Sequence, residues 1–216
     1  RLGDLLMTLP SLVYLRSLFP EAEIDLSCQK VFHELLEGFF SDYRIKPVEK
    51  IDNDYDGVLF LMGSAADGWS LFKRGIPVRV GLYSKPFSFL FFNYGIRQSR
   101  SLSGKSEAQS NLELAELLAR RLGVNQKPMK VATVLPVQEK SRAKALEVLS
   151  TLGIQDFGSM VIFHPGMRGS ALNIPTDAYL DLMVEMENRG FKVVLSTGPE
   201  NQDLELKAAI LKKRPS

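Results

Sequence analysis

Residues 57–82 read Gly57-Val58-Leu59-Phe60-Leu61-Met62-Gly63-Ser64-Ala65-Ala66-Asp67-Gly68-Trp69-Ser70-Leu71-Phe72-Lys73-Arg74-Gly75-Ile76-Pro77-Val78-Arg79-Val80-Gly81-Leu82. Residues 57–61 are nearly all apolar and too few for a stable helix, so they read as a strand buried on both faces, central in its sheet. Residues 63–75 read as a loop and helix, and residues 78–82 as a second strand. Strand, helix, strand is the unit of a parallel sheet, because parallel neighbours need a long crossover.

The alternation extends in both directions. Residues 24–28 and 45–48 read as strands. Residues 4–19 read as a helix whose Leu5, Leu6, Leu9, Leu12 and Val13 share one face, with Asp4 or Thr8 able to cap its start. Pro10 is tolerated only near that start or at a kink. Residues 31–40 read as another helix. Residues 83–105 break the pattern: they are rich in aromatic, basic and serine residues without a clear period, and so long a loop in a compact domain is usually functional. Helix resumes over 107–122, with Leu114, Leu117, Leu118 and Leu122 apolar, followed by a strand at 131–135 and a helix at 138–152.

After Gly153 the pattern restarts. Residues 160–163 read as a strand, 164–170 as a turn, 176–189 as a helix capped by Thr176, 192–196 as a strand and 200–213 as a helix. We therefore expect two α/β domains with parallel sheets, 1–154 and 155–216. Two β-α units alone leave a bare sheet edge and half a core, so the second domain is expected to be incomplete within this chain. Arg1-Leu2-Gly3-Asp4 likewise reads as an interior, with a strand expected before it.

The 216 residues are 45% hydrophobic and 24% charged, with a formal net charge of +2. That charge is too small to argue for nucleic-acid binding. Cys28, the single cysteine, has no internal partner for a disulfide and fits a reducing compartment as a small core residue. The most apolar stretch, residues 87–96, has about ten residues against the ~20 of a spanning helix. No signal peptide is recognisable. With only His33 and His164, far apart, and one cysteine, a zinc site is not expected.

Two segments carry candidate chemistry. In Arg1-Leu2-Gly3-Asp4 a glycine turn leads into a helix with a carboxylate at its start. If a strand precedes it, Asp4 lies at the carboxyl edge of a parallel sheet, where such folds bind ligands, and can take a proton from a hydroxyl. Taken alone, the segment reads more simply with Asp4 as a helix cap that complements the dipole. In His164-Pro165-Gly166-Met167-Arg168-Gly169-Ser170, backbone N–H groups, a hydroxyl and a guanidinium can converge on a phosphate. An ordinary glycine-proline turn is the alternative, with His164 a structural histidine.

Taken together, Gly3-Asp4 before an apolar helix with Thr8-Leu9-Pro10, then Leu15-Arg16-Ser17-Leu18-Phe19-Pro20, resembles the N-terminal signature of the lipopolysaccharide heptosyltransferases, glycosyltransferase family 9. The similarity continues through Asp54-Tyr55-Asp56-Gly57-Val58, residues 75–81, Glu107-Ala108-Gln109-Ser110-Asn111-Leu112, and residues 164–175. The resemblance implies a GT-B architecture, with two Rossmann-like domains facing a cleft. The first would take the acceptor and the second a nucleotide sugar, typically ADP-heptose. It implies inverting transfer without a metal or other cofactor, and it places the catalytic aspartate at Asp4. Gly166, Met167, Arg168, Gly169 and Ser170 are then the expected donor site.

Two features depart from the family pattern. Leu172 stands where relatives carry a cation, leaving Arg168 or Asn173 to replace it, and a further donor loop is expected beyond residue 216. In residues 79–105, Arg79, Lys85, Arg97, Arg100 and Lys105 interleave with aromatics. They read either as an acceptor- and membrane-facing surface or as core aromatics with a solvated basic face. On the functional reading the partners are a nucleotide-sugar donor, a lipopolysaccharide-type glycolipid and the inner-membrane surface, with the protein in the cytoplasm. A different GT-B enzyme, such as a sugar-nucleotide epimerase, or a two-lobed binding module would share the fold.

Overall fold

The computed structural model describes residues 2–37, 43–46, 54–84, 88–98, 104–127, 137–165, 174–198 and 201–213. The chain divides into two compact units, Arg1–Gln138 and Glu139–Ser216. The helix Glu139–Thr151 thus goes with the second unit, where the sequence reading set the boundary at 154.

The first unit runs α1 (Leu2–Leu6), α2 (Leu9–Leu18), β1 (Asp25–Ser27), a 3-10 turn (Lys30–Phe32), α3 (His33–Glu37), β2 (Arg44–Lys46), β3 (Gly57–Phe60), α4 (Ala65–Lys73), β4 (Val78–Leu82), α5 (Ser88–Phe91), β5 (Tyr94–Ile96) and α6 (Glu107–Arg121). Strand β1 pairs with β2, and β3, β4 and β5 pair in that order, all parallel.

Among the described residues the middle strand is β4, not β3. The apolar run of β3 reflects cover by α6: a Cβ on Gly57 would meet Leu118 at 3.0 Å and Leu122 at 3.4 Å. Arg79 makes β4 look less apolar than it is, since its neighbour Val80 is fully buried.

The expected irregular stretch from 83 to 105 contains α5 and β5. Strand β5 escaped the periodicity because it has three residues with glycine at its centre. Gly95 lies opposite Gly81 in register. A Cβ at Gly81 would meet the Phe92 ring at 2.5 Å, and one at Gly95 would meet the Tyr83 ring at 2.4 Å and the Gly81 carbonyl at 2.6 Å. The paired glycines thus make room for two aromatic rings, and part of the aromatic segment is core.

Residues 4–19 form two helices rather than one. Pro10 lacks an N–H and excludes the carbonyl four residues back, so α2 starts afresh with proline in its first turn. Thr8 closes α1 instead of capping α2: its Oγ1 donates to Leu5 O at 2.7 Å, and it makes no cap bond to α2. Asp4 is the third residue of α1, inside the first turn, where a carboxylate favours the positive end of the helix. One face of α2 packs on α6, with Tyr14, Leu15, Leu114, Ala115, Leu117 and Leu118 buried around Val80. The other face joins Leu5, Leu9 and Leu12 to Leu36 and Tyr43.

The second unit comprises α7 (Glu139–Thr151), β6 (Met160–Phe163), α8 (Thr176–Asn188), β7 (Lys192–Leu195) and α9 (Asn201–Lys213), with β6 and β7 parallel. Thr176 does not cap α8. Pro175 occupies the cap position without a side-chain bond, because its fixed φ suits a helix entry. Gly190, at φ 86°, ends that helix and turns the chain into β7. The expected strand at 131–135 lies outside the described residues.

Candidate functional site

The carboxyl edge of β4 and β5 is closed by side chains. The Gln98 amide N–H donates to Ser84 Oγ, and Ser84 Oγ donates to Gln98 O, both at 2.9 Å. Gln98 Nε2 donates to Ser110 O at 2.8 Å and to Glu113 Oε2 at 3.1 Å. Lys105 pairs with the other oxygen of Glu113. Ser110, Asn111 and Glu113 lie in the N-terminal half of α6, which begins at this edge with a capping box between Ser106 and Gln109. Asn111 Nδ2 donates to Met7 O at 3.0 Å. The segment between α1 and α2 therefore lies against the same end of α6. Asp4, half-buried, stands one helical turn before Met7. This is the sheet edge where parallel α/β folds bind ligands.

The expected acceptor cations divide between the two edges. Arg97 directly follows β5 and is exposed. Lys105, though paired with Glu113, keeps a half-exposed side chain. Arg79 is near the amino end of β4. Its Nε donates to Phe91 O at 2.8 Å and its Nη1 to Ile76 O, and its guanidinium lies 5.4 Å from the Phe72 ring centre. That geometry fits a tie between β4, α4 and α5. Lys85 and Arg100 lie outside the described residues, as do Gly166, Met167, Arg168, Gly169 and Ser170.

In the second unit, the residues directly after β6 and β7 meet. The Ser196 amide donates to Phe163 O at 2.8 Å, and His164 Nδ1 lies 3.2 Å from Ser196 Oγ. The buried Pro165 follows, directly before, in sequence, the glycine-rich residues expected to bind phosphate.

The opposite, amino edge of the first unit is built for stability. The Asp25 side chain is 6% exposed and meets Arg44 Nε at 2.7 Å, Lys46 Nζ at 2.7 Å and Tyr55 OH at 2.5 Å. Burial raises its carboxyl, but the hydrogen bonds from Lys46, Tyr55 and Arg44 outweigh it and hold the pKa below the usual value. An open cavity of about 320 Å³ on this edge is lined by Arg16, Pro20, Ala22, Glu23, Ile24 and Arg44. Its cations are already engaged: Arg16 Nη1 donates to the carbonyls of Pro20 and Ala22, and Arg44 pairs with Glu23 and Asp25. Cys28 is half-buried just past β1, and burial pushes its thiol pKa up. His33 lies half-buried with Nε2 3.2 Å from Cys28 O. Among the described residues no group of three or more His, Cys, Asp or Glu is placed to hold a metal ion, and no helix is long and apolar enough to cross a membrane.

Residues 46–215 match glycosyltransferase family 9 (heptosyltransferase). The chain belongs to this family. It is 24% identical to an inferred glycosyltransferase of Haemophilus influenzae, over 92% of this chain and 62% of that protein. Its fold is α/β of the GT-B type, like those of solved relatives. A family 9 glycosyl transferase of Veillonella parvula superposes with a TM-score of 0.78 at 18% identity, over 99% of this chain and 64% of that one. ADP-heptose lipopolysaccharide heptosyltransferase II of Escherichia coli gives 0.69 at 20% identity, over 98% and 65%. E. coli heptosyltransferase WaaC with ADP gives 0.67 at 16% identity, over 98% and 68%. The chain thus spans just under two thirds of the length of the first two relatives.

Proposed function

We propose that this protein is an inverting glycosyltransferase that moves heptose, or a related sugar, from ADP-heptose to a lipopolysaccharide core-type acceptor. The observation that carries the proposal is the family match through residues 46–215, which runs across both units. The E. coli relatives of similar fold are named for ADP-heptose and for ADP binding, which supports the choice of donor. In this reading the first unit takes the acceptor and the second contributes to the donor site. Asp4 removes the acceptor proton as the hydroxyl attacks the sugar carbon, and the diphosphate leaves with its bonding electron pair. Gly166, Met167, Arg168, Gly169 and Ser170 hold that diphosphate, with Arg168 supplying the positive charge. The chemistry takes no metal.

Arg97 and Lys105, with Lys85 and Arg100, meet the acidic groups of the acceptor. The surface also supports peripheral contact with the cytoplasmic face of the inner membrane. Phe89 and Leu90 are 65% and 52% exposed, Trp69 is 48% exposed, and Lys73 lies over the Trp69 ring. Apolar rings beside cations suit an anionic lipid surface.

The direct test is to supply ADP-heptose, ADP-glucose and UDP-glucose with a deep-core lipopolysaccharide acceptor, and to follow nucleotide release and acceptor mass. The proposal expects acceptor gain with ADP-heptose. Transfer only from a uridine donor would reassign the donor, and sugar isomerisation without transfer would favour an epimerase.

A further inference from the structure

We propose that Asn111 is a positioning residue that sets the place of Asp4. The inference rests on Asp4 being the general base. It begins with the break between α1 and α2. In a continuous helix the Met7 carbonyl would accept from the Ser11 N–H, four residues on. Here the Ser11 N–H donates to Thr8 O at 3.0 Å instead, which leaves Met7 O without its helical donor. A helical break of this kind leaves a carbonyl to be satisfied by another donor, from the protein or from solvent. Asn111 Nδ2 supplies it at 3.0 Å.

The position of Asn111 fits this role. It is 3% exposed and lies three and seven residues before Leu114 and Leu118, on the stripe of α6 that faces the core. An amide there costs free energy unless bonded. Helix α6 is long, boxed at its start and packed against β3, β4 and β5, so it is the rigid reference. Helix α1 has five residues, too few to hold its own geometry. The Met7 N–H donates to Gly3 O at 3.0 Å, so the backbone of Met7 links Asn111 to the residue next to Asp4. Ser110, beside Asn111, accepts from Gln98. The base and the β5 edge are thereby registered against the same turn of α6.

The test is a kinetic cycle on the protein with ADP-heptose and lipopolysaccharide acceptor, well below the melting temperature of every variant. Asn111→Ala should lower kcat about ten- to a hundredfold, as misplacement by ~1 Å does, with both KM values little changed. Asn111→Asp, the same shape without a donor toward Met7 O, should lose as much. In an Asp4→Asn background, Asn111→Ala should cost nothing further. If Asn111→Ala slows the Asp4→Asn variant by the same factor as wild type, or if Asn111→Asp retains wild-type kcat, the positioning role is wrong while the base assignment stands. If Asp4→Asn alone keeps near wild-type kcat, the base assignment fails and the positioning role falls with it.

Discussion

His164 Nδ1 and Ser196 Oγ lie 3.2 Å apart, each in the residue directly after a strand of the parallel pair β6 and β7. If the second unit binds the nucleotide sugar, this contact directly precedes, in sequence, the residues proposed to hold its phosphates. Ser196→Ala should weaken ADP binding about fivefold, the worth of ~1 kcal/mol for one hydrogen bond. Arg168→Ala should weaken it more, because a charged donor is lost, while acceptor affinity stays level. Calorimetric titration with ADP reads both, and unchanged affinity in both variants would remove the donor site from this turn.

The Asp25 cluster predicts acid sensitivity. The folded pKa of Asp25 is depressed below 3.8, so the unfolded state binds the proton more readily. The stability it contributes is full above its unfolded pKa and is lost as pH falls through the folded value. Asp25→Asn should lower stability by about 1–3 kcal/mol near pH 7 and flatten the decline below about pH 4. Urea unfolding across pH measures this. A variant with an unchanged acid limb would show that the cluster does not govern it.

The two arginines should separate cleanly. Arg79→Ala loses two bonds to carbonyls and its packing on Phe72, so it should lower stability by about 1–3 kcal/mol and leave acceptor KM unchanged. Arg97→Ala should raise acceptor KM severalfold and leave the melting temperature alone. The reverse pattern would return Arg79 to the acceptor surface.

Much of the fold was legible because apolar side chains report burial directly: β3, β4, α6, β6 and β7 fall close to their expected ranges. What was missed depends on groups whose partners are remote in sequence. Arg79 looked available because one carbonyl partner, Phe91 O, and the Phe72 ring belong to other elements. Strand β5 is too short, with Gly95 at its centre, to show a period of two. The break at Met7 and Thr8 follows from Pro10, a visible signal read as tolerable near a helix start or at a kink within one helix over 4–19. Asn111 also left a signal, a polar residue on an otherwise apolar stripe, but its partner is 104 residues away. The Ser106 and Gln109 capping box was readable from spacing alone. The role proposed for Asp4 rests on the family resemblance, since a carboxylate in a first helical turn is ordinary, and Asp4 lies outside the matched residues 46–215.

The most direct measurement of the central claim is the transfer rate of Asp4→Asn beside wild type, with melting temperatures taken on the same preparations. As the general base, Asp4 predicts a loss of about 10²–10⁴-fold in kcat with near-normal binding of ADP and a melting temperature within a few degrees. Activity near wild type together with a lowered melting temperature, by the ~1 kcal/mol that a helix-terminal carboxylate contributes, would contradict it.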